Sequence, residues 1–104
     1  MQEVFRRVLD QKNRVSSLET QLKSRQQELE SITKDQARLR ENMKALKGSA
    51  EEKALLQRYT RQLDSQEDRL NTLNNEISDA QEKHTQEQEK LDRMVQEIVM
   101  DHSF

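Results

Sequence analysis

His84 and Glu87 are the two side chains whose types and spacing come nearest to chemistry. Three residues apart on a helix, they stand one turn from each other on the same face. An imidazole and a carboxylate placed so could form an acid/base pair or half of a metal site. A metal site needs further ligands, and no second cluster of histidines or carboxylates joins the pair. His102, the other histidine, lies near the chain end and reads as a solvated terminal residue. The chain has no Cys, which removes thiolate metal sites, thiol nucleophiles and disulfides together. It has no Gly-rich phosphate loop and no H-E-x-x-H. The sequence therefore gives no reason to expect catalysis, a metal, a cofactor or a small-molecule ligand.

The elements that carry these residues follow from composition. Of 104 residues, 37% are charged, 31% apolar and 3% aromatic, the aromatics being Phe5, Tyr59 and Phe104. With no Trp or Pro and one Gly, there are too few large side chains and turn residues for a compact multi-element domain. No stretch approaches the length of apolar sequence needed to span a membrane, and the first residues lack the apolar core of a signal peptide. Nothing in the sequence indicates a compartment.

Periodicity decides against disorder. Val4, Val8, Gln11, Val15, Leu18, Leu22, Arg25, Leu29, Ile32, Gln36, Leu39, Met43 and Leu46 are spaced 4,3,4,3 without error. Leu56, Tyr59, Leu63, Gln66, Leu70, Leu73, Ile77, Ala80, His84, Glu87, Leu91, Met94 and Ile98 repeat the pattern. Twenty of these 26 positions are apolar, where the overall composition would place about 8 by chance. Two heptad seams of this kind predict two long helices paired as a coiled coil.

The tracts are out of phase, since Met43 and Leu56 hold equivalent heptad positions 13 residues apart rather than 14. Gly48, the one glycine, lies in the gap, followed by Ser49-Ala50-Glu51-Glu52, which has the S-x-x-E form of a capping box. The fold class predicted is all-α, an antiparallel hairpin with helices over about 2–47 and 50–100 and a tight turn near 48–50. Charge agrees: residues 1–47 carry 11 Lys/Arg and 7 Asp/Glu, residues 48–104 carry 7 and 13, so the halves attract. A long homodimeric coiled coil, helical through residues 47–55, is the alternative.

In an antiparallel pair, facing residues have numbers of constant sum. Sums of 102 and 95 both fit. At 102, Gln36 meets Gln66 and Val4 meets Ile98, with Asp35 beside Arg69, Arg7 beside Glu97 and Phe5 beside Val95, against a repulsive Glu28 with Glu76 and Arg14 with Lys90. At 95 the flanking charges are mostly repulsive, with Glu28 and Arg69 as the attractive exception. Charge favours 102, whereas a two-residue turn would centre the hairpin near 97.

Gln11, Arg25, Gln36, Gln66, His84 and Glu87 interrupt the apolar seam, and polar residues there fix register at a cost in stability. At the open end, Phe5, Leu9, Val95, Val99, Met100 and Phe104 add apolar side chains outside the seam, which fits either a small plug closing the two helix ends or a docking surface for a larger body. Leu55, Val95 and Val99 beside the seam could also pair two hairpins into a four-helix bundle.

The stretch Ile32-Thr33-Lys34-Asp35-Gln36-Ala37-Arg38-Leu39-Arg40-Glu41-Asn42-Met43-Lys44-Ala45-Leu46, followed by Gly48-Ser49-Ala50-Glu51-Glu52-Lys53 and the run from Arg58-Tyr59 to Leu70, resembles the coiled-coil tail of large bacterial proteins of unknown function related to the mucoidy-inhibitor group. Those proteins join β-rich domains to long coiled coils. The resemblance implies that this chain is one segment of a larger protein, and it carries no catalytic residue.

Function then reduces to shape and pairing. The expectation is a structural or protein-interaction rod, its partner either the rest of a larger chain or a second copy. Nucleic-acid binding through the basic first helix is the weaker alternative, because the facing helix is acidic, the net charge is −2 and no aromatics interleave. A two-in-seven seam is also too narrow for an interfacial membrane helix.

Overall fold

Both tracts are rich in Leu, Gln, Glu, Arg and Lys, which lose little side-chain freedom in a helix. Thr is a poorer helix former, and all five threonines (20, 33, 60, 72 and 85) donate their hydroxyls to the carbonyl four residues earlier, at 2.9–3.1 Å. The computed structural model describes residues 2–101, which form an all-α helical hairpin. Helix α1 spans Gln2–Lys44 and helix α2 spans Ala50–Asp101. His102 and Phe104 lie outside the described residues. Glu3 in the first turn of α1, Lys44 in its last, and Glu51 and Glu52 in the first turn of α2 have the signs that helix dipoles favour.

The helices form two compact units, each drawing on both. One comprises Met1–Ser24 with Ile77–Phe104, the other Arg25–Glu76. Every seam position is buried or half-buried except Val4 (39% exposed) and Leu56 (38%). The first unit buries Gln11, Val15 and Ala80; the second buries Gln36, Leu39 and Leu73, the two leucines completely. Two helices shield only one stripe of each other, so most seam leucines remain half-buried.

The first helix stops at Lys44 rather than at 47, and the non-helical link is 45–49 rather than 48–50. Unwinding takes place on the α1 side. The Ala45 and Leu46 amides turn to carbonyls three residues back, Asn42 at 3.3 Å and Met43 at 3.2 Å, tightening the last turn. Gly48 then takes φ +89°, a left-handed conformation that side chains disfavour. A Cβ there would meet nothing within 4 Å. Gly48→Ala is therefore expected to cost about 1–2 kcal/mol through backbone strain alone, measurable by urea denaturation.

Ser49 caps α2 reciprocally: its hydroxyl accepts the Glu52 amide at 3.1 Å, and the Glu52 carboxylate accepts the Ser49 amide at 3.3 Å. The same carboxylate also accepts the Lys47 amide at 2.6 Å, and so holds both sides of Gly48. The Lys47 amide first, then the Ser49 hydroxyl and amide, keep the Glu52 carboxyl below its ordinary value. A carboxyl lowered by folding stabilises the fold at pH values above its unfolded pKa, and that contribution disappears as pH falls through the folded pKa. Glu52→Gln should be less stable than the wild type at neutral pH. The difference should vanish on acidification to about pH 2, which parallel denaturation series would show.

Candidate functional site

Polar side chains on a mostly apolar seam must find partners or lose hydration without compensation. In this hairpin they find them across the helix pair. Gln11, 3% exposed, donates its amide to both the backbone carbonyl and the carboxylate of Glu87, at 2.8 and 2.5 Å. His84 Nε2 lies 3.1 Å from Glu19 Oε1. The two residues singled out for chemistry thus have separate partners on α1, one carboxylate and one amide. A sum of 102 sets Leu18 opposite His84 and Val15 opposite Glu87; neither offers a polar group, and Glu19 reaches His84 from beside the seam.

The unit Arg25–Glu76 holds a second set. Gln36 and Gln66 do not bond to each other as a matched layer. Gln36 Nε2 donates to Glu67 at 2.9 Å, and Gln66 Nε2 donates to Asp35 at 2.6 Å. Each glutamine reaches the carboxylate adjacent in sequence to the other glutamine, so the four residues form a reciprocal clasp. Carboxylates only accept, which fixes each amide with its NH₂ toward the acid. The arrangement leaves Gln66 Oε1 buried with no protein donor. Asp35 also accepts from Arg38 at 2.9 Å. Arg38 first and Gln66 second hold the Asp35 carboxyl below its ordinary value.

Arg69 consequently does not pair with Asp35. It makes a two-pronged contact with Glu28, Nε at 2.8 Å and Nη2 at 3.2 Å, and its Nη1 lies 3.9 Å from Glu76. Arg25 Nε meets the other Glu76 oxygen at 2.9 Å. The repulsion anticipated between Glu28 and Glu76 is relieved because Arg69 stands between them and Arg25 closes the far side. Glu28 is the main cause of the raised Arg69 pKa. Arg7 pairs along its own helix with Glu3, at 3.6 Å, rather than with Glu97. Both side chains are mostly exposed, and an i,i+4 pair needs no cross-helix reach.

These contacts set the register. Partner numbers rise on α1 as they fall on α2, and their sums run from 97 (Glu28 with Arg69) to 103 (Gln36 with Glu67, His84 with Glu19). A sum of 95 would place the latter pairs about 12 Å apart along the axis, out of reach; a sum of 102 accommodates all of them. The Glu28 contact, which had favoured 95, is a long arginine reaching back along the helix. Every polar seam residue has its partner one step beside the seam or on it. The missed partners Glu19, Asp35, Glu67 and Glu76 were legible as acids flanking the seam at sums of 101 to 103.

The apolar side chains outside the seam behave differently. Phe5, Leu9, Val95, Val99 and Met100 are all exposed, at 44–72%. They belong to the unit formed with Ile77–Phe104, where Val4, Val8, Met94 and Ile98 line a shallow groove edged by Arg7 and Glu97. Among the described residues no group of three or more His, Asp or Glu side chains could hold a metal ion. No described helix is long and apolar enough to cross a membrane. No family model matches the chain, and no curated protein or solved structure matches it.

Proposed function

We propose that this chain is a non-catalytic structural and protein-interaction element, an antiparallel coiled-coil hairpin that acts as spacer or docking arm. The observation that carries this reading is the use of its polar seam. Gln11, Arg25, Gln36, Gln66, His84 and Glu87 are all committed to cross-helix partners, so the groups that could have served chemistry serve register instead. The resemblance to coiled-coil tails of mucoidy-inhibitor-related bacterial proteins supports the same reading and makes the chain a segment of a larger protein. Its partners are then protein surfaces rather than nucleic acid, membrane or small molecules, and the apolar residues at 4–9 and 95–100 are the natural contact.

Titrating the chain into a 20-base-pair duplex at about 50 mM salt tests the choice against the basic face of α1. No mobility shift is expected, because the facing helix is acidic, the net charge is −2 and no aromatics interleave the basic residues of α1. A shift abolished by added salt would overturn the reading in favour of nucleic-acid binding.

A further inference from the structure

The two flanks of the unit formed by Met1–Ser24 and Ile77–Phe104 differ. On the flank that follows each seam residue, Phe5 and Val95 stand level, their numbers summing to 100, within the range of the observed cross-helix contacts. Leu9 and Val99 lie one turn further along the same flank of each helix. Phe5 is 72% exposed and Val99 62%, high values for large apolar side chains. Equivalent flank positions elsewhere are Lys12, Glu19, Gln81 and Gln88, so the apolar face is confined to the end of the unit.

Its rim has opposite charges on its two sides. Arg6 and Lys12 border it on α1, Glu89 and Asp92 on α2, and none of the four forms an ion pair among the described residues. Such a face complements itself. A two-fold axis parallel to the helices lays α1 of one copy on α2 of another, and brings the two apolar faces together. It also sets Lys12 level with the other copy's Glu89 and Arg6 near the other copy's Asp92. All neighbouring helices are then antiparallel, as in an up-and-down bundle. Area allows it: the chain exposes 8258 Å², against about 6,100 Å² for a typical folded monomer of this mass, and a standard interface covers about 800 Å² per partner.

We propose that a second copy of this chain docks on the flank carrying Phe5, Leu9, Val95 and Val99, joining two hairpins into a four-helix bundle at that unit. The inference rests on the reading of the chain as an interaction hairpin and names its partner. Sedimentation equilibrium of the full chain over about 5–200 µM tests it. The expected mass is twice 12.4 kDa. Phe5→Ser with Val99→Ser should return the monomer mass with unchanged helical circular dichroism, since both side chains are exposed. Reversing Arg6 and Lys12 to Glu, or Glu89 and Asp92 to Lys, should each abolish pairing, and mixing the two variants should restore it.

A wild-type monomer at every concentration would overturn the pairing while leaving the hairpin intact. A dimer that survives Phe5→Ser with Val99→Ser would show that the copies meet elsewhere. Charge-reversed variants that dimerise alone as well as mixed would rule out α1 lying on α2 of the partner copy.

Discussion

Leu39→Ala destabilises the hairpin by about 2–5 kcal/mol, the range for emptying a fully buried leucine site. Leu39 and Leu73 have no exposed surface, whereas Leu22, Leu63 and the other seam leucines apart from the exposed Leu56 are half-buried. Truncation at a half-buried position loses fewer contacts, and water reaches the space that is left. A ranking follows as well as a magnitude. Leu39→Ala and Leu73→Ala should lower stability by clearly more than Leu22→Ala or Leu63→Ala. Urea denaturation followed by circular dichroism at one fixed chain concentration measures it. Equal costs at all four positions would mean that the seam is covered evenly, by something other than the facing helix.

Replacing both Gln36 and Gln66 with Leu should raise stability by about 1–3 kcal/mol, the opposite sign to most seam substitutions. The double change removes the buried Gln66 oxygen that has no protein donor and fills one layer with apolar side chains. Asp35, half-buried, and Glu67, exposed, can then rehydrate. The cost falls on register. The clasp of Gln36 with Glu67 and Gln66 with Asp35 is satisfied at one alignment, and a slide of one heptad would separate all four groups. The variant should therefore be more stable and less uniquely aligned, giving a broader distribution of label distances between the helices. A double variant less stable than the wild type would show that the clasp contributes net stability instead of specificity.

The hairpin itself was legible in the sequence because three signals coincide within residues 47–55: the phase break, Gly48 and the Ser49–Glu52 box. Each has a local physical cause, and Gly48 does adopt the positive φ that such a turn requires. The end of α1 was less legible. Lys44 to Lys47 are good helix formers, and only the pull of the Glu52 carboxylate on the Lys47 amide, a contact across the turn, favours unwinding there. The polar seam residues could be read from heptad arithmetic, but their partners could not be read from facing positions alone. Glu19, Asp35, Glu67 and Glu76 flank the seam, and long side chains reach one residue beyond the layer that their backbone occupies. Arg69 shows the same lesson. Charge counting by register paired it with Asp35, whereas its length lets it serve Glu28 and Glu76 together.

Every cross-helix contact requires the chain to fold back on itself. It has no native Cys, so cysteines introduced at Ser16 and Thr85 would be its only labelling sites. Both positions are exposed and belong to the same unit, their numbers summing to 101. Pulsed dipolar spectroscopy on doubly spin-labelled chain, diluted in excess unlabelled chain so that only distances within one molecule count, measures their separation. Packed helix axes lie about 8–10 Å apart, so a label distance below about 30 Å is expected. A single helix running through Gly48 would place the labels about 100 Å apart at 1.5 Å per residue, and would contradict the hairpin and every cross-helix partner assigned above.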